Sequence, residues 1–291
     1  MRAFTWLEPG TTTDAVALLR EHAPGARLIA GGQSLLLAMK DRTAGPTHLV
    51  SLAGVEGLAG VRTADDGSLV VGAATTYTAL TRLDATALGG WHGVLGAVAG
   101  DLADRPVRNR GTVGGSLCTG DPRYDVPVLA AGVDATLRIT GAGGDREVPA
   151  TGFAQGPGLV ALRPDEVLTA LVLPPRPRWD AVAFEKFRHR VFDAAIVSVT
   201  CALRAGADGV AEARLTVGGA TPAPTPVPGA AARLVGPLPD PDAVAAAADA
   251  AAEEVLPGGA TAGEAVRYRH ELVRTLVRRA VTRAAADLRR S

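Results

Sequence analysis

The chain is predicted to be an α+β protein of at least two domains that meet near residue 175. Three features carry that prediction. Short strand-like runs alternate with short helical ones up to residue 173, the cluster Pro174-Pro175-Arg176-Pro177 interrupts them, and the remainder turns from three strand-like runs to two Ala-rich helices.

In chain order, FTWLEP reads as a strand, and residues 12–22 as a helix with Thr12 or Thr13 at its N-cap and Ala15, Leu18 and Leu19 at helical spacing. Pro24-Gly25 stops it. The short apolar run Arg27-Leu28-Ile29-Ala30 has the pattern of a buried strand; it runs into Gly31-Gly32-Gln33-Ser34 and a helix over 35–40, followed by a strand over 47–52. Residues 58–62 and 68–72 form two strands around the hairpin signal Asp65-Asp66-Gly67. Helices are expected over 76–83 and 91–103. The stretch 107–117, rich in glycine and poor in helix formers, reads as a loop. Strand patterns return at 135–140, 158–162 and 168–173, and three antiparallel strands are expected at 181–188, 195–203 and 212–217. A proline-rich stretch at 221–228 leads to helices over 241–254 and 262–290. The last places Val266, Leu272, Val273, Leu276, Val277, Ala280 and Val281 on one stripe opposite its arginines, as for a helix packed on a sheet.

Composition removes several classes of function. The 291 residues are 47% hydrophobic, enough for a sizeable core, and carry 30 basic against 30 acidic side chains. Zero net charge gives no footprint for nucleic acid or an acidic membrane surface. Two cysteines, Cys118 and Cys201, cannot form a disulfide scaffold, a Cys₄ zinc site or an iron–sulfur cluster. No apolar run approaches the roughly 18 residues of a membrane span, and MRAFTWLEPG contains no apolar signal core, so a cytoplasmic protein is expected. Of the 30 basic residues only Lys40 and Lys186 are lysines, a bias of composition that singles out both.

The common enzyme signatures for dinucleotides, phosphate loops, zinc proteases, serine hydrolases and thiol redox pairs are missing, and the five histidines are scattered without ligand spacing, so no metal site and no catalytic residue is expected. Two glycine-rich segments remain. Ala30-Gly31-Gly32-Gln33-Ser34 lies between a strand and a helix, where glycines permit close backbone approach and positive φ, and the first helical turn leaves N–H donors for a phosphate. Thr112-Val113-Gly114-Gly115-Ser116 offers a second set of backbone donors between hydroxyls. Converging, the two would wrap the two phosphates of a dinucleotide.

These segments resemble the FAD-binding medium subunit of the molybdenum hydroxylases, the xanthine dehydrogenase and carbon monoxide dehydrogenase group. The resemblance rests on Ala30-Gly31-Gly32-Gln33-Ser34-Leu35-Leu36 and on Thr112-Val113-Gly114-Gly115-Ser116-Leu117-Cys118-Thr119-Gly120-Asp121-Pro122. It extends through Arg108-Asn109 and Gly111, Phe184-Glu185-Lys186-Phe187-Arg188, Gly218-Gly219-Ala220-Thr221-Pro222, Tyr268-Arg269 and Arg278-Arg279-Ala280, nearly the whole chain. It implies the FAD-binding fold of the vanillyl-alcohol oxidase type over 1–175, in subdomains of about 1–54 and 55–175. A small C-terminal α+β domain, a three-stranded sheet with helices, is implied over 178–291.

The resemblance also implies non-covalent FAD. Leu28, Ile29, Ala30, Gly31, Gly32, Gln33, Ser34 and Leu35 would line its pyrophosphate and ribityl region, and Thr112, Val113, Gly114, Gly115 and Ser116 would supply the second phosphate loop. Asp125, Leu102, Leu168 and Lys186 match further flavin contacts; a cation at Lys186 would stabilise negative charge added to the ring system. Cys118 would be a small buried residue, not an attachment point.

The implied function is electron transfer from iron–sulfur clusters to an external acceptor. The implied partners are a large molybdopterin-binding subunit and a small iron–sulfur subunit, assembled as a dimer of heterotrimers. One rival is a stand-alone FAD-dependent oxidoreductase acting directly on a small molecule, for which His189 and Tyr124 are the reachable bases; another, from a different class, is a scaffold or interaction protein without cofactor.

Overall fold

The computed structural model describes residues 2–83 and 89–290. The first layer comprises β1 (Thr5–Leu7), α1 (Thr12–Glu21), β2 (Ala26–Ile29), α2 (Leu35–Lys40) and β3 (His48–Ser51). Its three strands are parallel in the order β1-β3-β2, with Ile29 opposite Ser51. The cap of α1 is Thr11, one residue earlier than the spacing suggests: its Oγ1 accepts from the Asp14 N–H at 3.1 Å. Ala15, Val16 and Leu19 then face inward and are buried.

The second unit follows with β4 (Val61–Thr63), β5 (Leu69–Gly72), α3 (Tyr77–Thr81), α4 (Gly93–Gly100), α5 (Arg105–Arg110), α6 (Val113–Thr119), α7 (Asp125–Gly132), β6 (Thr136–Gly141), β7 (Gly144–Pro149), β8 (Ala154–Gly156), β9 (Leu159–Val160) and β10 (Glu166–Leu173). Five of these strands form an antiparallel sheet in the order β4-β5-β10-β6-β7. Leu137, Ile139, Leu69, Val71, Leu171 and Leu173 contribute to its buried core.

The C-terminal unit contains β11 (Ala181–Phe187), β12 (Val197–Gly206), β13 (Gly209–Gly218), β14 (Thr225–Pro226), α8 (Pro228–Ala232), α9 (Pro241–Val255) and α10 (Glu264–Leu288). The sheet has four strands in the order β11-β12-β13-β14, not three, because the proline-rich stretch donates the two-residue β14 to its edge. The inward stripe of α10 starts at His270; Val266, placed on it by spacing, is exposed with the rest of the first six residues.

Two segments depart from the sequence expectation. Residues 107–117 are largely helical: Asp104 caps α5 and Thr112 caps α6, each side chain accepting the N–H three residues on. The glycines here serve packing rather than looseness. A Cβ on Gly114 would sit 2.6 Å from the Ala73 Cβ, so only glycine lets α6 lie against the end of β5. The second departure is α7, all eight residues of which are buried. A helix apolar on every side gives no amphipathic signal. It lies between the two halves, as a Cβ on Gly132 would meet Thr200 at 2.4 Å, and one on Gly218 would meet Val128 at 2.2 Å.

The halves are also fastened at the proline cluster. Trp179 is buried and donates from Nε1 to the Val133 carbonyl at 3.1 Å, and the Arg178 guanidinium lies over its ring while bonding Glu212 and Asp134. Among the described residues no helix is long and apolar enough to cross a membrane, and no cluster of potential metal ligands forms.

Candidate functional site

The two glycine-rich segments meet. A Cβ on Gly31 would lie 1.9 Å from the Arg110 carbonyl oxygen and 3.1 Å from the Gly111 Cα, so the first turn rests on the backbone that leads into the second. The second is fixed in turn to β5 and α3: Thr112 bridges Thr76, and Tyr77 donates its N–H to the Gly111 carbonyl at 3.1 Å. Beside the junction lies a cleft of about 650 Å³, and next to it a second of about 370 Å³; Arg27, Leu28, Ala30, Gly115 and Cys118 line both. The pair forms an elongated, mostly apolar site with a glycine-lined junction in its middle.

The backbone donors are distributed unequally. In the first turn the N–H groups of Gly31, Gly32, Gln33, Ser34 and Leu35 have no acceptor among the described residues. Gly32 at φ +72° permits the reversal that presents them. In the second, every amide from Val113 to Ser116 is engaged: Val113 to the Thr75 carbonyl, Gly114 to the Ala73 carbonyl, Gly115 to Thr112 Oγ1 and Ser116 to the Thr112 carbonyl. The symmetry expected from the two glycine pairs is therefore absent. One turn supplies donors; the other supplies a wall. Because α2 is only six residues long, attraction for an anion there comes from individual amides more than from a helix dipole.

Of the residues singled out from sequence, Leu28, Ile29, Ala30, Gly31, Gly32, Gln33, Ser34, Leu35, Leu102, Thr112, Gly115, Ser116 and Asp125 line the larger cleft. Gly114 and Leu168 line the smaller one. Val113 is wholly buried in the core, and Lys186 faces neither cleft. Its Nζ lies instead 2.5 Å from Asp125 Oδ2, 3.0 Å from the Asp101 carbonyl and 3.2 Å from Asp101 Oδ2. Arg188 holds Asp101 from the other side.

Asp125, the first residue of α7, is 2% exposed, and its Oδ1 is buried with no hydrogen-bond partner among the described residues. Burial drives its carboxyl above the ordinary carboxylate range, with Lys186 opposing the rise. The Asp101 carboxyl is held below that range: burial pushes up, but the Arg188 hydrogen bond and the Lys186 charge outweigh it. Cys118 lines both clefts as a protonated thiol pushed up to about 12 by burial, which makes it a poor nucleophile.

Several cleft residues escape a motif reading. Tyr124 hydrogen-bonds Ser34 through its hydroxyl at 2.9 Å and so ties the first turn to the start of α7. Tyr77, Arg27, Arg123 and the segment Phe192, Asp193 and Ala194 also line it. Phe192, 62% exposed in an arginine-rich loop, is the one whose sequence context carried a signal. His189 packs edge-on against Phe187 and does not line the cleft.

Comparison with known proteins places the chain in a family. Residues 2–176 match the family model described as the FAD binding domain in molybdopterin dehydrogenase, and residues 182–284 match the CO dehydrogenase flavoprotein C-terminal domain. The chain is 33% identical over 284 residues to the carbon monoxide dehydrogenase medium chain of Hydrogenophaga pseudoflava, covering 97% of each. It is 36% identical over 218 residues to the xanthine dehydrogenase FAD-binding subunit of Escherichia coli O157:H7, covering 74% of this chain and 73% of that one. Among solved structures it resembles carbon monoxide dehydrogenase from H. pseudoflava (TM-score 0.91, 32% identity, 98% of each chain). It also resembles quinoline 2-oxidoreductase from Pseudomonas putida 86 (TM-score 0.89, 30% identity, 99% of this chain and 98% of that one).

Proposed function

The chain belongs to the family of FAD-binding medium subunits of the carbon monoxide and xanthine dehydrogenases, and on that premise we propose that its cleft holds FAD non-covalently for electron transfer between protein partners. The observation that carries the assignment is the run of five acceptor-less amides at residues 31–35, at the junction of two apolar clefts. An extended ligand with a diphosphate between two flat ends matches that order of donors and walls.

In this reading the amides of Gly31 to Leu35 take the diphosphate. Thr112, Gly115 and Ser116 close the opposite wall, with Gly114 and Leu168 at the smaller cleft. A carboxylate oxygen repels phosphate and needs a donor, so Asp125 faces the flavin or ribityl end, as does Leu102. Bound FAD supplies the redox chemistry, and the chain positions it and excludes water. The lining contains no histidine among the described residues and the Tyr124 hydroxyl is bonded to Ser34, so neither base named for a stand-alone enzyme, His189 or Tyr124, is free in the cleft.

Electrons would come from a small iron–sulfur subunit, and substrate oxidation would take place on a large molybdopterin-binding subunit. The assembly would be a dimer of such heterotrimers. The chain would divide at about residue 175, with subdomains 1–54 and 55–175 preceding a C-terminal domain over 178–291.

The test is titration of purified, FAD-stripped chain followed by flavin fluorescence and by its mass after denaturation. One FAD per chain, released on denaturation, is expected; a chain that binds none overturns the reading. Co-expression with both partners should then yield a heterotrimer dimer by mass. Bleaching of the flavin by an organic substrate in the isolated chain would instead favour the stand-alone enzyme.

A further inference from the structure

The sequence offers Lys186 as a cation beside the flavin, but its surroundings deny it that role. An ammonium has three N–H donors. Those of Lys186 are met by Asp125 Oδ2, the Asp101 carbonyl oxygen and Asp101 Oδ2, at 2.5, 3.0 and 3.2 Å, and its side chain is 9% exposed. Nothing is left to donate into the cleft. Asp125, between the lysine and the cleft, has the opposite property: one oxygen is paired and the other, Oδ1, is buried, unpaired and part of a cleft-lining residue.

We infer that Lys186 is a positioning residue that acts through Asp125, holding that carboxyl ionised with Oδ1 open to accept a hydrogen bond from an N–H or O–H at the flavin end of the cofactor. This rests on the FAD assignment above. The device spans both halves of the chain. Asp101 follows α4 and Asp125 opens α7, whereas Lys186 lies in β11 and Arg188 just beyond it. The four charges alternate, Asp125, Lys186, Asp101, Arg188, and sum to zero, so β11 is linked to the cleft through the carboxylate of Asp125.

The groups acting on Asp125 set the direction of its pH response. Burial raises its carboxyl, Lys186 lowers it, the Asp101 charge raises it and Arg188 lowers it; the phenols of Tyr77 and Tyr124 are the remaining titratable neighbours. Protonation of Asp125 removes the ionised acceptor, so FAD affinity falls as pH drops through its titration. Without Lys186 the carboxyl rises further, and the fall begins at higher pH.

The experiment is FAD affinity by fluorescence quenching from pH 5 to 9 for the parent, Lys186→Met, Lys186→Arg, Asp125→Asn and the Asp125→Asn/Lys186→Met double variant, with thermal melts of each. The double variant removes both charges, so no buried ion is left unpaired. Lys186→Met should shift the acid limb upward and bind roughly tenfold more weakly on the acid side, the ratio shrinking as pH rises. Lys186→Arg should restore the parent profile, and both variants carrying Asp125→Asn should lose the limb. A uniform loss across pH in Lys186→Met, or a limb that survives Asp125→Asn, overturns the inference while leaving the FAD assignment intact. A parent that binds no FAD at any pH overturns both.

Discussion

Replacing Gly31 by alanine is the sharpest test of the way the cleft is built. The added Cβ would sit 1.9 Å from the Arg110 carbonyl oxygen and 2.6 Å from its carbon, both backbone atoms in the turn that precedes Thr112. Real Cβ contacts essentially never fall below 3.0 Å, so one turn must retreat from the other by at least 1.1 Å. No rotamer change relieves this, because the obstacle is main chain pinned by the Gly111–Tyr77 bond and the Thr76–Thr112 bridge. Overpacking of this kind costs about 1–3 kcal/mol, which lowers Tm by roughly 2–12 °C in a unit of this size. The same displacement moves the amides of residues 31–35 away from the wall formed by Thr112 and Gly115, so FAD affinity should fall with stability. Gly10→Ala is the control: a Cβ there would meet nothing within 4 Å, and the residue lines neither cleft. Differential scanning fluorimetry and flavin quenching on both variants decide the matter. If Gly31→Ala melts and binds like the parent, the two turns do not touch, and the account of the cleft fails.

Thr112→Ala removes the cap of α6 and frees the Gly115 amide; it should cost about 1 kcal/mol by urea unfolding, with Thr112→Ser close to the parent. Arg146→Met leaves the buried Glu166 carboxylate with little beyond the Arg163 backbone donor and a guanidinium at 3.8 Å, a loss of about 2 kcal/mol at neutral pH. Because Arg146 holds that carboxyl below its ordinary value of 4.5, the stabilisation is complete above that value and vanishes as pH falls through the lower native one; parent and variant melts should therefore converge in acid, and a constant gap would refute the pairing. Cys118, pushed up to about 12, should resist iodoacetamide at pH 8 in the native chain and react in urea, read by mass spectrometry.

Much of the first layer and the β4–β5 hairpin was legible because local rules suffice there: the alternation of short strands and helices, the proline stop at Pro24 and the turn at Asp65-Asp66-Gly67 are properties of neighbouring residues. The reading of 107–117 as a loop failed for a physical reason. Glycine is a poor helix former in isolation, but at position 114 its missing side chain is what allows α6 to pack on Ala73. Helix α7 went unseen because burial on every side erases periodicity.

The sequence alone singled out the two backbone turns that meet beside the cleft, since closely spaced glycines beside apolar runs mark where the main chain can be approached. Its two cysteines also leave too few thiolates for an iron–sulfur cluster or a Cys₄ zinc site built from this chain alone. Only the tertiary structure decided how those turns are used. Whether an amide is free depends on what lies opposite it, and the carbonyls of Ala73 and Thr75 silence one turn while no acceptor among the described residues silences the other. Likewise Lys186 is 61 residues from the carboxylate it meets, a pairing made by the docking of two sheets around a buried helix rather than by any local pattern.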